Sequence, residues 1–352
     1  MYDVVIVGAG PAGASTAYVL ENSGYKIALL DKEQFPRTKP CAGVIPPKVY
    51  SELEIPDNIM ERPLEGYRIF SPSGAMVQSS FPTRGLIVRR ERFDNFLIKR
   101  LKNQPKRIRV SRYEIKKEFV EVGGKGGSFR TNLVVGADGV NSVVRKISGI
   151  NDCGKNRSSD MAVAMQYEIS LSKERVDDMI GNWFEVYYSI PYGYAWISPL
   201  KDAVKLGVGG LSPSFKKNCK KNLDEFLKRK DIKEKISDGK IVRTEAHLIP
   251  MRGPFDILTA DRTILVGDAG GFVFPGTGEG IFYAMKSGRI AAEVIIQAIK
   301  EQRFELKFLG TSYTEKLKKN GLTSLRKVDF VERVLSSPEK AEKYLKRLKL
   351  FS

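Results

Sequence analysis

Apolar residues near the start of the chain follow two periods in turn. Val4 to Val7 form an unbroken apolar run that suits a strand buried on both faces, a glycine turn follows, and Pro11 to Asn22 read as a helix. A second apolar run, Ile27 to Leu30, ends in Asp31. The same order of strand, glycine turn and helix returns at 132–146, in "NLVVGADGVNSVVRK", and at 262–295, in "RTILVGDAGGFVFPGTGEGIFYAMKSGRIAAEVI". "IVRRERFDNFLIKRL" carries its apolar residues at helical spacing, and "VGGKGGS" (122–128) reads as a hairpin turn. Between these blocks the segments alternate. "SIPYGYAWISPL" (189–200) places Tyr192, Tyr194 and Trp196 two apart, which in a strand puts three rings on one side of a sheet. "GVGGLS" (207–212) reads as a strand end.

Composition narrows the chemistry. The 352 residues suit two joined domains, and no apolar run is long enough for a membrane span. The opening "MYDVVIVGAG" lacks the features of a signal peptide, so a cytoplasmic location is expected. Cys41, Cys153 and Cys219 stand far apart without metal-ligand spacing, and His247 is the single histidine. Histidine-based triads and multi-histidine metal sites are thereby disfavoured, no metal is expected, and the chemistry must come with a cofactor.

The net charge of +18 points to anionic surfaces rather than to nucleic acid, since no nucleic-acid reader motif accompanies it. "AEKYLKRLKLF" near the C-terminus sets Tyr344, Leu345, Leu348 and Phe351 at helical spacing among basic residues. Two readings stand: a helix lying on a membrane surface, or a terminal helix packed on its own domain with solvated lysines, the second being favoured.

The first fifty residues carry the dinucleotide fingerprint in its required context. Gly8 makes the tight turn, Gly10 lets the backbone approach a pyrophosphate, and Gly13 lets the helix pack on the strand. Asp31 is expected to accept hydrogen bonds from the adenosine ribose. NAD and FAD are both compatible with this motif alone.

The later segments carry a resemblance. "GADG" with Ser142 and Arg145, "GDA" followed by Pro275 and the glycine-flanked Gly278, Glu279 and Gly280, and Arg90, Phe93, Asp94 and Leu97 in "RRERFDNFL" resemble the FAD-dependent oxidoreductases that include aromatic hydroxylases, flavin halogenases and geranylgeranyl reductases. "FPRTKPCAGVIP" (35–46) is similar to the Lys-X-Cys-Gly segment of the geranylgeranyl reductases, with Ala42 where the family usually has glycine. Pro191, Tyr194, Trp196 and Pro199 match the family's PxxYxWxFP motif, with Ser198 in place of its phenylalanine. The halogenase motif would require Trp at 194 and Ile at 198, and neither is present.

The resemblance implies an α/β fold: a Rossmann-like FAD-binding domain built from 1–65, 85–154 and 252–300, an inserted antiparallel β-sheet substrate domain (66–84 and 155–251) that covers the flavin, and C-terminal helices over 301–352. It implies FAD contacts at Gly8, Gly10, Ala12, Gly13, Asp31, Lys39, Cys41, Ala42, Gly43, Arg90, Ala137, Asp138, Gly139, Gly267, Asp268, Pro275, Gly278, Glu279, Gly280 and Ile281. Asp268 would hold a hydroxyl of the FAD sugar chain. A prenyl substrate would meet Phe184, Tyr192, Gly193, Tyr194 and Trp196, and Cys41, Tyr194 and Trp196 are the catalytic candidates. His247 is expected in a structural role in a loop.

The implied activity is saturation of double bonds in the geranylgeranyl chains of isoprenoid lipids or prenyl diphosphates. An external donor, NAD(P)H or a ferredoxin, would supply electrons, and peripheral association with a membrane is an accompanying expectation. The rival readings are an FAD monooxygenase or halogenase acting on an aromatic substrate, and a lipid-binding flavoprotein without turnover.

Overall fold

The computed structural model describes residues 1–150, 161–211, 213–327 and 331–349. Cys153, Phe351 and the expected boundary between 154 and 155 lie outside them. In chain order the strands are β1 (Tyr2–Val7), β2 (Ile27–Asp31), β3 (Val44–Ile45), β4 (Met60–Phe70), β5 (Met76–Val88), β6 (Lys106–Arg107), β7 (Val110–Ile115), β8 (Val120–Gly124), β9 (Gly127–Gly136), β10 (Met161–Ser170), β11 (Trp183–Tyr187), β12 (Gly193–Pro199), β13 (Ala203–Gly210), β14 (Lys240–Pro250), β15 (Thr259–Ala260) and β16 (Thr263–Leu265). The helices are α1 (Pro11–Asn22), α2 (Arg90–Lys99), α3 (Val143–Ile147), α4 (Lys173–Met179), α5 (Pro213–Lys217), α6 (Cys219–Lys228), α7 (Lys230–Lys235), α8 (Ile281–Glu301), α9 (Leu306–Lys319) and α10 (Pro338–Lys349).

The first of two compact units comprises 1–37, 91–157 and 250–328. Its sheet runs β15-β16-β9-β1-β2-β6, and β16, β9, β1, β2 and β6 are parallel. Parallel strands covered on both faces need apolar residues at every position. Val4 to Ile6 and Leu133 to Val135 supply them, each with 0% exposure. The "VGGKGGS" turn joins β8 to β9 as an antiparallel hairpin, as its glycines predict.

α1 and α8 meet closely because Gly288 carries no side chain. A β-carbon there would lie 2.4 Å from the Ala12 carbonyl oxygen. Thr16 closes the contact by donating to the carbonyls of Ala12 and Gly288 at 2.9 and 3.1 Å.

The second unit comprises 38–90, 158–249 and 329–352. Its sheet runs β14-β10-β13-β12-β11-β4-β5-β3; from β10 to β11 and from β4 to β3 the neighbours are antiparallel, and β11 runs parallel to β4. The boundaries differ from the sequence-based expectation, which assigned 38–65 and 85–90 to the nucleotide-binding domain. They belong with the sheet because the start of β4 pairs with the end of β5, Met60 with Val88, and β3 pairs with β5 beside it, Ile45 with Leu86. The expected C-terminal helical segment is likewise divided, α9 going with the first unit and α10 with the second.

Alternation gives this sheet two different faces. Odd-numbered residues of β11 and β12, among them Tyr187, Ala195 and Ile197, pack with Phe215, Leu223 and Phe226 of α5 and α6. α10 turns Ala341 and Leu345 inward, at 1% and 2% exposure, while Lys343, Lys346 and Arg347 are exposed. Within the described residues Leu345 of the apolar stripe is buried and Tyr344 half-buried, which favours the packed-helix reading for that part of the tail.

Candidate active site

In the first unit the structure brings together the glycine turn (8–13), Asp31, the 137–139 turn and the 267–281 segment. Gly8 adopts φ +100°, and a β-carbon on it would lie 2.3 Å from the Ala137 carbonyl oxygen. One on Gly13 would lie 1.9 Å from the Gly8 carbonyl oxygen. These two glycines serve packing. Gly10 differs: among the described residues beyond its chain neighbours, its β-carbon would meet only Arg37 Nη2, at 3.5 Å, so the missing side chain leaves open space at the helix entrance. That is the space a dinucleotide's pyrophosphate requires.

Gly10 is the N-cap of α1, and Pro11 at the first helical position has no amide to lose. The Ala12 and Gly13 amides have no intrahelical acceptor, and no acid occupies the first turn. The helix start is therefore suited to an anion. Asp31 Oδ2 accepts from the Ala9 amide at 2.7 Å, which fixes the carboxylate at the glycine turn.

The other two turns support this cradle. Asp138 accepts from Ser142 Oγ at 2.5 Å and from the Val143 and Val144 amides at 2.6 and 3.2 Å, and so holds the start of α3; burial pushes its carboxyl above the usual range. Arg145 donates to the carbonyls of Val140 and Ala269 at 2.9 and 3.0 Å and ties this turn to the next. Gly267 takes φ +55°, a conformation open to glycine, and a β-carbon on it would press against Ala12 at 2.8 Å. Asp268 is half-buried, with Oδ1 3.5 Å from where a Gly280 β-carbon would stand. Gly280 caps the 21-residue α8, so a second helix start opens beside this carboxylate. Pro275 is buried, and Gly278 takes φ +71°. Arg90 opens α2 and is 5% exposed.

Sequence reasoning missed Arg37. Its guanidinium sits over the Phe35 ring, 4.9 Å from the centroid, and is paired at 3.1 Å with Asp94, whose side chain is fully buried.

In the second unit, one face of the sheet and the 39–43 loop form a separate constellation. Register sets Phe184, Trp196 and Ser198 on the same face as Lys205, Gly207 and Gly209 of β13 and Gln166 and Glu168 of β10. Ser198 Oγ donates to the Ala42 carbonyl at 2.8 Å, and Gln166 Nε2 and Lys205 Nζ both donate to the Cys41 carbonyl, at 3.1 and 2.9 Å. The Gly43 amide reaches Cys41 Sγ at 3.3 Å. The loop is thus pinned through its backbone, while the Cys41 side chain remains half-buried.

His247 lies within β14 rather than in a loop, and its Nε2 is 3.1 Å from Lys39 Nζ. An ammonium only donates, so this ring nitrogen is the acceptor.

The aromatic strip is shorter than the alternation predicts. Tyr192 precedes β12, takes φ 58°, and donates its amide to the Leu335 carbonyl; its side chain leaves the alternation and stands exposed. Tyr194 and Trp196 share a face, with ring centroids 5.9 Å apart. Trp196 is 7% exposed and packs among Leu64, Ile87, Ala164 and Phe184. Its ring lies over Gly207, where a β-carbon would fall 2.3 Å from Cζ2. The alternating Gly207 and Gly209 were the available signal: a strand gives up side chains where a ring crosses it. Tyr67 and Phe81 extend the aromatic set through edge-to-face contacts with centroids 6.0 Å (Tyr67 to Phe184) and 5.0 Å (Tyr67 to Phe81) apart. Burial raises the Tyr194 phenol above its ordinary range and keeps it protonated.

Residues 2–176 match the family model described as pyridine nucleotide-disulphide oxidoreductase, and residues 215–332 match that of lycopene cyclase protein. Digeranylgeranylglycerophospholipid reductase of Methanococcus vannielii is 32% identical, over 88% of this chain and 80% of that protein. Geranylgeranyl diphosphate reductase of Rhodobacter capsulatus is 31% identical, over 85% of this chain and 76% of that one. A geranylgeranyl bacteriochlorophyll reductase-like protein from Thermoplasma acidophilum superposes with a TM-score of 0.79 at 22% identity, covering 97% of this chain and 95% of that one. The halogenase PltM, solved with phloroglucinol and FAD, gives 0.78 at 17% identity, covering 96% and 78%. At these identities the two structures speak for the fold.

Proposed function

Because this chain belongs to the geranylgeranyl reductase family of FAD-dependent oxidoreductases, we propose that it saturates carbon–carbon double bonds in geranylgeranyl chains, carried either by an isoprenoid glycerophospholipid or by a prenyl diphosphate. The single observation that carries the cofactor side of this reading is the open space at Gly10, set between two glycines that the protein itself fills. Bound there, FAD in its reduced form supplies a hydride. The chain's own residues have four tasks: to hold the dinucleotide, orient the alkene, exclude water and deliver a proton.

An isolated trisubstituted alkene has no carbonyl to take up negative charge, so protonation of one alkene carbon must accompany hydride transfer to the other. The Tyr194 and Trp196 ring faces attract the developing cation, by roughly 0.5–2 kcal/mol each. The apolar set around them (Phe184, Tyr67 and Phe81) suits the prenyl chain itself. The Tyr194 hydroxyl and the half-buried Cys41 thiol are the proton-donor candidates within this proposal, and burial, by raising the Tyr194 phenol, weakens it as an acid.

The external electron donor is a nicotinamide nucleotide or a ferredoxin. No described helix is long and apolar enough to cross a membrane. Contact with an anionic membrane is assigned to charge, which the exposed lysines of α10 supply.

The test is mass spectrometry of geranylgeranyl phospholipid and geranylgeranyl diphosphate after anaerobic incubation with dithionite-reduced, FAD-loaded protein. Gain of hydrogen pairs in either lipid supports the reading and names the preferred headgroup. Unchanged lipids, together with an oxygen-dependent product from an aromatic substrate, would replace it with the monooxygenase reading.

A further inference from the structure

We propose that Arg37 is a direct ligand of the FAD diphosphate, a role that rests on the cofactor reading above and adds to it a residue the dinucleotide fingerprint does not contain. Three independent observations converge on it. Among the described residues, and apart from Gly10's own chain neighbours, Arg37 Nη2 is the sole atom within 4 Å of where a β-carbon on Gly10 would project, so the guanidinium borders the open space at the helix entrance. The side chain is held there, 13% exposed, by the fully buried Asp94 carboxylate at 3.1 Å and by the Phe35 ring. The start of α1 offers only amides and contains no acid or capping side chain, so its partial charge is not already neutralised by protein.

A guanidinium presents five donors in a rigid fork, and one carboxylate oxygen cannot use them all. Asp94 holds that fork in place through Nη2 and offsets part of its charge. The remaining donors and the Ala12 and Gly13 amides then address the same space from two sides. Had Arg37 served only to neutralise Asp94, nothing would require it to lie beside the glycine whose absent side chain makes the cradle.

The test measures binding to the full chain after its flavin has been removed, using FAD, ADP and adenosine as probes. Charge-assisted hydrogen bonds of this kind correspond to roughly 10- to 100-fold in affinity. Arg37→Met should weaken FAD and ADP by that factor while leaving adenosine within about twofold, and should flatten the salt dependence of FAD binding. Since Arg37→Met takes a cation away from the buried Asp94 carboxylate, the double variant Arg37→Met with Asp94→Asn is measured alongside. It should show the same loss of diphosphate affinity as the single variant.

If the double variant binds FAD as tightly as the wild type, Arg37 acts only through the fold and the proposal fails. It fails too if the weakening appears only for NADPH added to FAD-loaded protein, since the contact is then to the donor's diphosphate. A wild-type chain that takes up no FAD at all overturns the cofactor reading itself, an outcome distinct from both.

Discussion

Lys205 extends its ammonium from β13 to the Cys41 carbonyl oxygen, 2.9 Å away, at only 3% exposure. A buried cation on a backbone carbonyl, with the Ser198 hydroxyl on the next carbonyl, makes the 39–43 loop an extension of the sheet. Ser198→Ala should lower unfolding free energy by about 1 kcal/mol, the cost of one unmet buried acceptor. Lys205→Met, which leaves Gln166 on the Cys41 carbonyl, should cost about 1–3 kcal/mol. Denaturant titration of the two variants checks both values, and equal stability of both with the wild type would contradict the loop assignment.

Gly10 and Gly207 should separate binding from folding. Gly10→Ala intrudes on space that the protein leaves open, so apo stability should stay within about 0.5 kcal/mol while FAD affinity falls at least tenfold. Gly207→Ala drives a methyl group into the Trp196 ring and should cost about 1–3 kcal/mol, with a shift in tryptophan emission and little change in FAD affinity. Thermal melts and flavin titration of the pair read the contrast.

On the other face of the same sheet, Lys235 lies 2.6 Å from both carboxylate oxygens of Glu185, whose side chain is 1% exposed, and Tyr187 donates to that carboxylate at 2.6 Å. Removing the cation strands a buried charge. Lys235→Met should destabilise the chain by about 3–5 kcal/mol, and adding Glu185→Gln should recover part of that. Chemical denaturation of the single and double variants provides the comparison.

Burial pushes the Cys219 thiol up to about 11. The unfolded chain releases this proton near its ordinary value of 9.0, whereas the folded chain retains it, so the folded state binds more protons across the interval. The stability contributed is complete below about pH 9 and is lost as pH rises toward about 11. The wild-type minus Cys219→Ala stability difference should decline over that range. In a Cys153→Ser background, the half-buried Cys41 should react with a thiol reagent well before Cys219 does.

How much of this was legible in the sequence depends on whether the information was local. The turn from Gly8 to Gly13, Asp31 at the end of β2 and the entrance of α8 at Gly280 are each written in a short run of residues, and the structure assembles them as one cradle. Arg37 was not legible: its meaning comes from Asp94, 57 positions away, and from Gly10, and no local period links them. The role of Ser198 was hidden for the same reason, since its hydrogen bond to Ala42 spans 156 positions. Tyr192 misled because alternation assumes extended backbone, and its positive φ breaks the strand one residue before β12 begins. The extent of the second unit also escaped, because β4 and β5 pair over a length that only the finished sheet displays.

The central claim is that electrons stored on bound FAD pass to a prenyl double bond, and an anaerobic single-turnover titration tests it most directly. Photoreduced, FAD-loaded protein is mixed with geranylgeranyl phospholipid while the oxidised-flavin absorbance and the lipid mass are followed together. The account predicts one flavin reoxidised for each double bond lost. Flavin that stays reduced until oxygen enters, with the lipid unchanged throughout, would contradict it.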